Sequence, residues 1–140
     1  MRAVRIDWYA RSHAESARKR MTDIERWQGG ARGRSRATAW RDLVFTVATA
    51  PGPTVAEQTR ASLAQISANL VEAGTDRTRL LSATVYLTDI ANKAKMDAEW
   101  CEWIGGSANW PQRACVQADL ASGTLVEITV IAARPRLSVP

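Results

Sequence analysis

The sequence predicts an α+β domain, a mixed β-sheet carrying two helices on one face. Three observations point there. Short β-branched runs alternate with two stretches of helical period in the order β-β-α-β-α-β-β. A Thr54-x-x-Glu57 capping box opens the first helical stretch and Gly74 closes it. No internal repeat or low-complexity tract breaks the order, so helices layered on a single sheet are the natural solution.

The elements follow in chain order. Residues 1–20 show no clean period and end in Arg18-Lys19-Arg20, which reads as a mobile arm or an added strand. The organisation expected is a basic arm or extension over 1–21 and one domain over 22–140. Ser35–Trp40 and Leu43–Ala48 flank Arg41-Asp42 as a hairpin, and Pro51-Gly52-Pro53 breaks the chain. A helix is expected over Val55–Ala73, with Val55, Thr59, Leu63, Ile66 and Leu70 along one stripe. Leu81–Leu87 reads as a strand. Asp89 can cap a second helix whose buried stripe is Met96, Trp100, Trp103 and Ile104, ended by Gly105-Gly106. Arg113–Asp119 and Leu125–Ala133 read as two strands joined in a hairpin by the loop Leu120–Thr124.

At 140 residues the chain has the length of one domain and can bury a core without staples. Its 46% hydrophobic and 24% charged residues are ordinary for a globular protein. No apolar run approaches the ~20 residues that cross a bilayer. Cys101 and Cys115 form no CxxC pair, and a reduced cytosolic protein is expected. The single histidine, His13, lies in the unpatterned N-terminal stretch. That excludes a Ser-His-Asp triad, a Cys-His pair or a histidine-based zinc site in the body of the fold.

The net charge of +5 is uneven. Residues 1–42 hold eleven Arg/Lys against five Asp/Glu, whereas residues 43–140 hold eight against nine. A basic N-terminal third can hold nucleic acid, but a solvated arm is the commoner reading, and no nucleic-acid partner is expected. Six tryptophans could form a stacking platform. Trp100 and Trp103, at helical spacing, suit packing; Trp110, beside Pro111 and just before Arg113, suits a cleft wall.

In the expected final hairpin, a loop centred on Ser122 sets Gln117 opposite Glu127 and Arg113 opposite Ile131. Arg113 and Glu127 then share a face. A lone arginine and a lone glutamate among apolar strands must be paired, solvated or turned toward a cleft, and spacing alone favours an edge salt bridge or a solvent-facing side.

The stretch Trp110-Pro-Gln-Arg-Ala-Cys-Val116 followed by Leu125-Val-Glu-Ile-Thr-Val-Ile-Ala132 resembles the signature of the Rid (reactive intermediate deaminase, or YjgF) family. Gln58-Thr-Arg, Leu70-Val-Glu-Ala-Gly74 and Leu81-Ser-Ala-Thr-Val-Tyr-Leu-Thr-Asp89 are similar to its usual helix and strand, so the resemblance runs from about Thr22 to Pro135. It implies a chorismate-mutase-like fold, homotrimers with a cleft at each subunit interface, and hydrolysis of reactive imines or enamines without metal or organic cofactor. Arg113 would hold the carboxylate of an amino-acid-derived imine; Glu127 would position or activate water and shuttle protons. The backbone around Cys115 would line the site, as would Trp110, Ser35 and Val47. Asp97 falls where many relatives place an asparagine. Two departures stand out: Val47-Ala48-Thr49 replaces a common Ser-Gly-Gln, and Arg34-Ser35 replaces an aromatic-Ser pair. They imply a pathway-specific substrate. A non-catalytic carboxylate-binding protein and an RNA-binding or RNA-cleaving protein are the competing readings.

Overall fold

In the computed structural model, which describes residues 2–135, a six-stranded sheet carries two helices against one face. Helix α1 (Arg2–Thr22) leads into β1 (Ile24–Gln28), β2 (Ser35–Trp40) and β3 (Leu43–Ala48). Helix α2 (Val55–Glu72), β4 (Leu80–Leu87), α3 (Lys93–Ile104), β5 (Gln112–Gln117) and β6 (Val126–Ala133) complete the chain. The sheet order is β1-β2-β3-β6-β4-β5. Only β4 and β5 run parallel; the other neighbours are antiparallel.

The local chemistry explains most of these boundaries. Thr54 accepts the amide of Glu57 at 3.2 Å and donates its hydroxyl to the Glu57 carboxylate, which satisfies a first-turn amide of α2. At the other end Gly74 takes φ +89, and Thr75 N–H returns to the Leu70 carbonyl at 2.9 Å, a left-handed cap that only glycine adopts without strain. Asp89 caps a single 3₁₀ turn, Ile90–Asn92, which runs directly into α3. Arg41 and Asp42 make the two-residue turn between β2 and β3, with Arg41 at φ 54 and Trp40 paired to Leu43.

The core lies between the sheet and α2 and α3. Leu63, Ile66 and Leu70 of α2 and Met96, Trp100 and Ile104 of α3 are buried and pack in one cluster with Val44, Val85, Ile128 and Val130 of the sheet. Strand β6 is central, and its residues alternate between buried and half-buried. Arg134, immediately after it, is 4% exposed. Its guanidinium donates to the carbonyls of Arg41 and Ala73 and to the Glu25 carboxylate, tying β1, the β2–β3 turn and the end of α2 together.

Three expectations are corrected. Residues 2–22 form not an added strand but a helix. The segment contains no glycine or proline, is rich in alanine and long basic side chains, and holds an Asp7–Arg11 pair at 2.7 Å one turn apart. Among its described side chains only Ala17 is buried. Strand β1 escaped the sequence because Ile-Glu-Arg-Trp-Gln is mostly polar; it is an edge strand, paired only with β2. The expected final hairpin does not form. β5 pairs with β4, while β6 inserts between β3 and β4. Helix α3 makes β4 and β5 a βαβ unit, which requires parallel strands, and the loop after β5 carries the chain across β4. Residues 136–140 of the expected domain lie outside the described residues. No described helix is long and apolar enough to cross a membrane.

Candidate functional site

The strand registers decide which charged groups can meet. Arg113 stands beside Ala83, and Cys115 beside Val85; both therefore turn toward the helices, since strand side chains alternate faces. Glu127 stands beside Tyr86 and turns to the open face. Within one chain Arg113 and Glu127 lie on opposite faces with β4 between them. The shared face expected from a hairpin is overturned, because that parity rested on a pairing that β6 does not make.

Arg113 is the centre of a closed cluster. Its Nη2 donates to Asp97 Oδ1 at 2.5 Å, and its guanidinium carbon lies 5.1 Å from the Trp100 ring centroid. Lys93 Nζ holds the other Asp97 oxygen at 2.6 Å. Burial works to raise the pKa of Asp97, but the hydrogen bonds and charges of Lys93 and Arg113 outweigh it and hold the carboxyl below its ordinary value. The Cys115 thiol moves the other way: burial, with help from Asp97, raises its pKa against the pull of Arg113 and Lys93. A thiol kept protonated is a poor nucleophile. Trp110 is 63% exposed, and its indole N–H donates to the Gly105 carbonyl at 2.9 Å, which turns it back over the end of α3.

Glu127 occupies a different place. It lines an open cleft of about 700 Å³ whose walls include Gly30, Arg34, Ser35, Val47 and Thr49. Among the described residues its carboxylate has no hydrogen-bond or ion-pair partner. Val47 shares the open face with it, two residue pairs along β6. Ser35 and Val47 are thus brought to Glu127, whereas Asp97 and Cys115 are brought to Arg113.

Two buried polar side chains to which sequence reasoning gave no site role tie together the elements around this cleft. Gln58 on α2 is 1% exposed. It donates to the carbonyls of Gly52 and Gly123 at 2.9 Å each and accepts the Leu125 amide at 2.8 Å. It thereby staples the loop before β6 to the loop before α2. A side chain at Gly52 would press on Gln58, 3.3 Å from its Cγ. Asn69 receives Arg36 Nη1 at 2.8 Å and donates to Thr46 Oγ1 at 2.9 Å, joining α2 to β2 and β3. The available signal was polarity on a helix face that is otherwise buried.

Among the described residues no three His, Cys, Asp or Glu side chains converge as a metal site. The arrangement offers a guanidinium and a free carboxylate, which suit anion capture and proton transfer respectively.

The sequence model of a family described as Endoribonuclease L-PSP matches residues 44–134. A RutC family protein of Haemophilus ducreyi is 40% identical over 78 residues, 55% of this chain and 66% of that protein. The RutC family protein YoaB of Escherichia coli strain K12 is 40% identical over 79 residues, 55% of this chain and 68% of its own length. The matched stretch thus spans about two thirds of these relatives. Among solved structures, a YjgF-family member from Neisseria meningitidis is 36% identical, with a TM-score of 0.75 over 81% of this chain and 96% of that one. A protein from Salmonella typhimurium described as a putative translation initiation inhibitor is 32% identical, with a TM-score of 0.71 over 79% and 96%.

Proposed function

The chain belongs to the Endoribonuclease L-PSP family, the group also called YjgF, RutC or Rid, and from that premise we propose that it hydrolyses a carboxylate-bearing imine or enamine at a site completed by a second copy of itself. The observation that carries this reading is the register parity. The guanidinium suited to a carboxylate and the carboxylate free for proton transfer occupy opposite faces of one sheet, so one substrate meets both only where two copies join. The assembly we propose is the homotrimer. The open sheet face supports it, with Phe45, Val116 and Trp40 each exposed by 39% or more.

The chemistry is a hydrolysis. Arg113 of one copy holds the substrate carboxylate through the edge of its guanidinium not used by Asp97. Glu127 of the neighbour takes a proton from water as the water oxygen bonds to the imine carbon. The C=N bond becomes C–N in a carbinolamine. Glu127 returns this proton to nitrogen. It then takes the carbinolamine hydroxyl proton and passes it to the same nitrogen, so the C–N bond breaks and ammonia leaves as the C=O bond forms. An enamine enters the same course after protonation at carbon. Val47, in place of the more polar group suggested by relatives, makes that wall apolar and favours a substrate with a hydrocarbon segment there.

Ammonia release from imines generated in situ by an amino-acid oxidase tests the activity, and light scattering tests the trimer. Mixing inactive Arg113→Gln and Glu127→Gln proteins, unfolded and refolded together, tests the shared site. Restored turnover is expected, because some interfaces then combine an intact Arg113 with an intact Glu127. No restoration, with mixed oligomers verified by mass, refutes a site built from two copies.

A further inference from the structure

The β1–β2 loop runs Gly29-Gly30-Ala31-Arg32-Gly33-Arg34, with Arg26 just before it on β1 and Arg36 just after it on β2. Arg36 is fully engaged, by the Gln28 carbonyl, Asn69 and Glu72. Arg26, Arg32 and Arg34 are exposed, and none has a hydrogen-bond or ion-pair partner among the described residues. They are not scattered. All three line a second open cleft of about 700 Å³, and Arg34 with Ser35 also lines the cleft that holds Glu127. The two clefts share Gly29, Gly30 and Ala31 as well, so they adjoin along this loop. Among the described residues, Glu127 is the only acidic one lining either cleft.

The backbone adds to this. A side chain at Gly30 or Gly33 would meet nothing within 4 Å, and Gly33 sits at φ +83. The loop is open on the cleft side, and a small ligand can approach its main chain closely. Uncompensated guanidiniums converging on a concavity with exposed amides make a receptor for a multiply charged anion.

We propose that this loop is a second anion-binding subsite of the same cleft, and that the substrate carries a negative group, carboxylate or phosphate, in addition to the carboxylate held by Arg113. The inference rests on the shared-site reading above and names its substrate class: a dianionic imine, one charge at Arg113 and the other at Arg32 and Arg34. Arg34 stands where the aromatic of the common pattern would have packed, so a contact suited to an apolar substrate end becomes one suited to a charged end.

The test is calorimetric titration of the full chain with butyrate, glutarate and 2-phosphoglycolate. At least one dianion is expected to bind about tenfold or more tightly than butyrate, the gain of one charge-assisted contact. Whether glutarate or phosphoglycolate leads identifies the second group. Arg32→Gln with Arg34→Gln is expected to narrow the dianion-to-butyrate ratio by about tenfold; both residues are exposed on a loop, so folding is spared. Equal affinity for the three anions overturns the proposal, as does a ratio untouched by the double substitution. An RNA oligonucleotide that binds with steep salt dependence while the small anions do not discriminate also overturns it. Ammonia release from the imines of glutamate and leucine separates the two levels. No release from either, with the dianion preference intact, removes the hydrolytic reading and leaves the subsite. Equal release from both, with equal anion affinities, removes the subsite and leaves hydrolysis.

Discussion

Two charged regions on opposite faces of one sheet are built on contrary principles. Around Arg113 every charge is answered: Asp97 takes Arg113 on one oxygen and Lys93 on the other, and Trp100 lies beneath the guanidinium. Around Glu127 a carboxylate and three arginines stand unanswered across two adjoining open clefts. The closed cluster is held in place before any ligand arrives, which lowers the ordering a ligand must supply but sets it in competition with Asp97. The open one gains the whole of its electrostatic interaction only when a ligand enters.

The largest test of that contrast is at Glu127. Glu127→Gln keeps shape and hydrogen-bonding capacity but exchanges no proton, so turnover should fall by ~10²–10⁴-fold while anion binding persists. Unchanged ammonia release would take Glu127 out of the reaction. Next comes Arg113→Lys, which keeps the charge and loses the planar fork. A drop in kcat/KM of roughly tenfold or more is expected with little change in thermal midpoint, and full activity on a carboxylate-bearing imine would deny Arg113 its anchoring role.

Asp97→Asn sharpens the comparison by opening the closed cluster. Without a competing charge, Arg113 should bind butyrate several-fold more tightly, about 1 kcal/mol; weaker binding would instead make Asp97 a ligand-ordering group. The same substitution carries the smallest effect, on stability against pH. The Asp97 pKa is lowered in the fold, so its contribution is present above the ordinary carboxylate pKa and is lost as pH falls through the depressed folded value. The thermal midpoints of parent and Asp97→Asn should therefore differ near neutrality and converge in acid. A gap that persists at low pH would mean that Asp97 acts through shape rather than charge.

What was legible in the sequence was local. The capping box at Thr54, the left-handed Gly74 and the apolar stripe of α2 each depend on residues a few positions apart, and the helix they specify was read within a residue of its observed end. Strand identities were legible for the same reason, with the exception of polar β1. Strand partners were legible only for the β2–β3 hairpin, whose two strands are joined by Arg41-Asp42. β5 and β6 are neighbours in sequence, yet their pairing is decided by a helix that precedes one of them and by a central gap between β3 and β4. That one error moved Arg113 and Glu127 to a common face. The resemblance named residues of both charged clusters, whereas the tie between Arg113 and Asp97 required knowing that α3 lies over β5. The open loop between β1 and β2 was written plainly in its glycines and arginines, but its meaning depends on a cleft that only the folded chain creates.

The position of β6 has a consequence for how the protein is made. The chain emerges from β1 toward β6, yet β6 alone joins the β1-β2-β3 ribbon to the β4-α3-β5 unit. Until its last strand is synthesised, the nascent polypeptide holds two sheet fragments whose inner edges, β3 and β4, are unsatisfied and apolar. Unpaired strand edges invite association with other chains, so the interval before Val126 clears the ribosome is when this protein is most exposed to misassembly. The arrival of β6 closes both edges at once and brings Arg134 to Glu25, joining residues 109 positions apart.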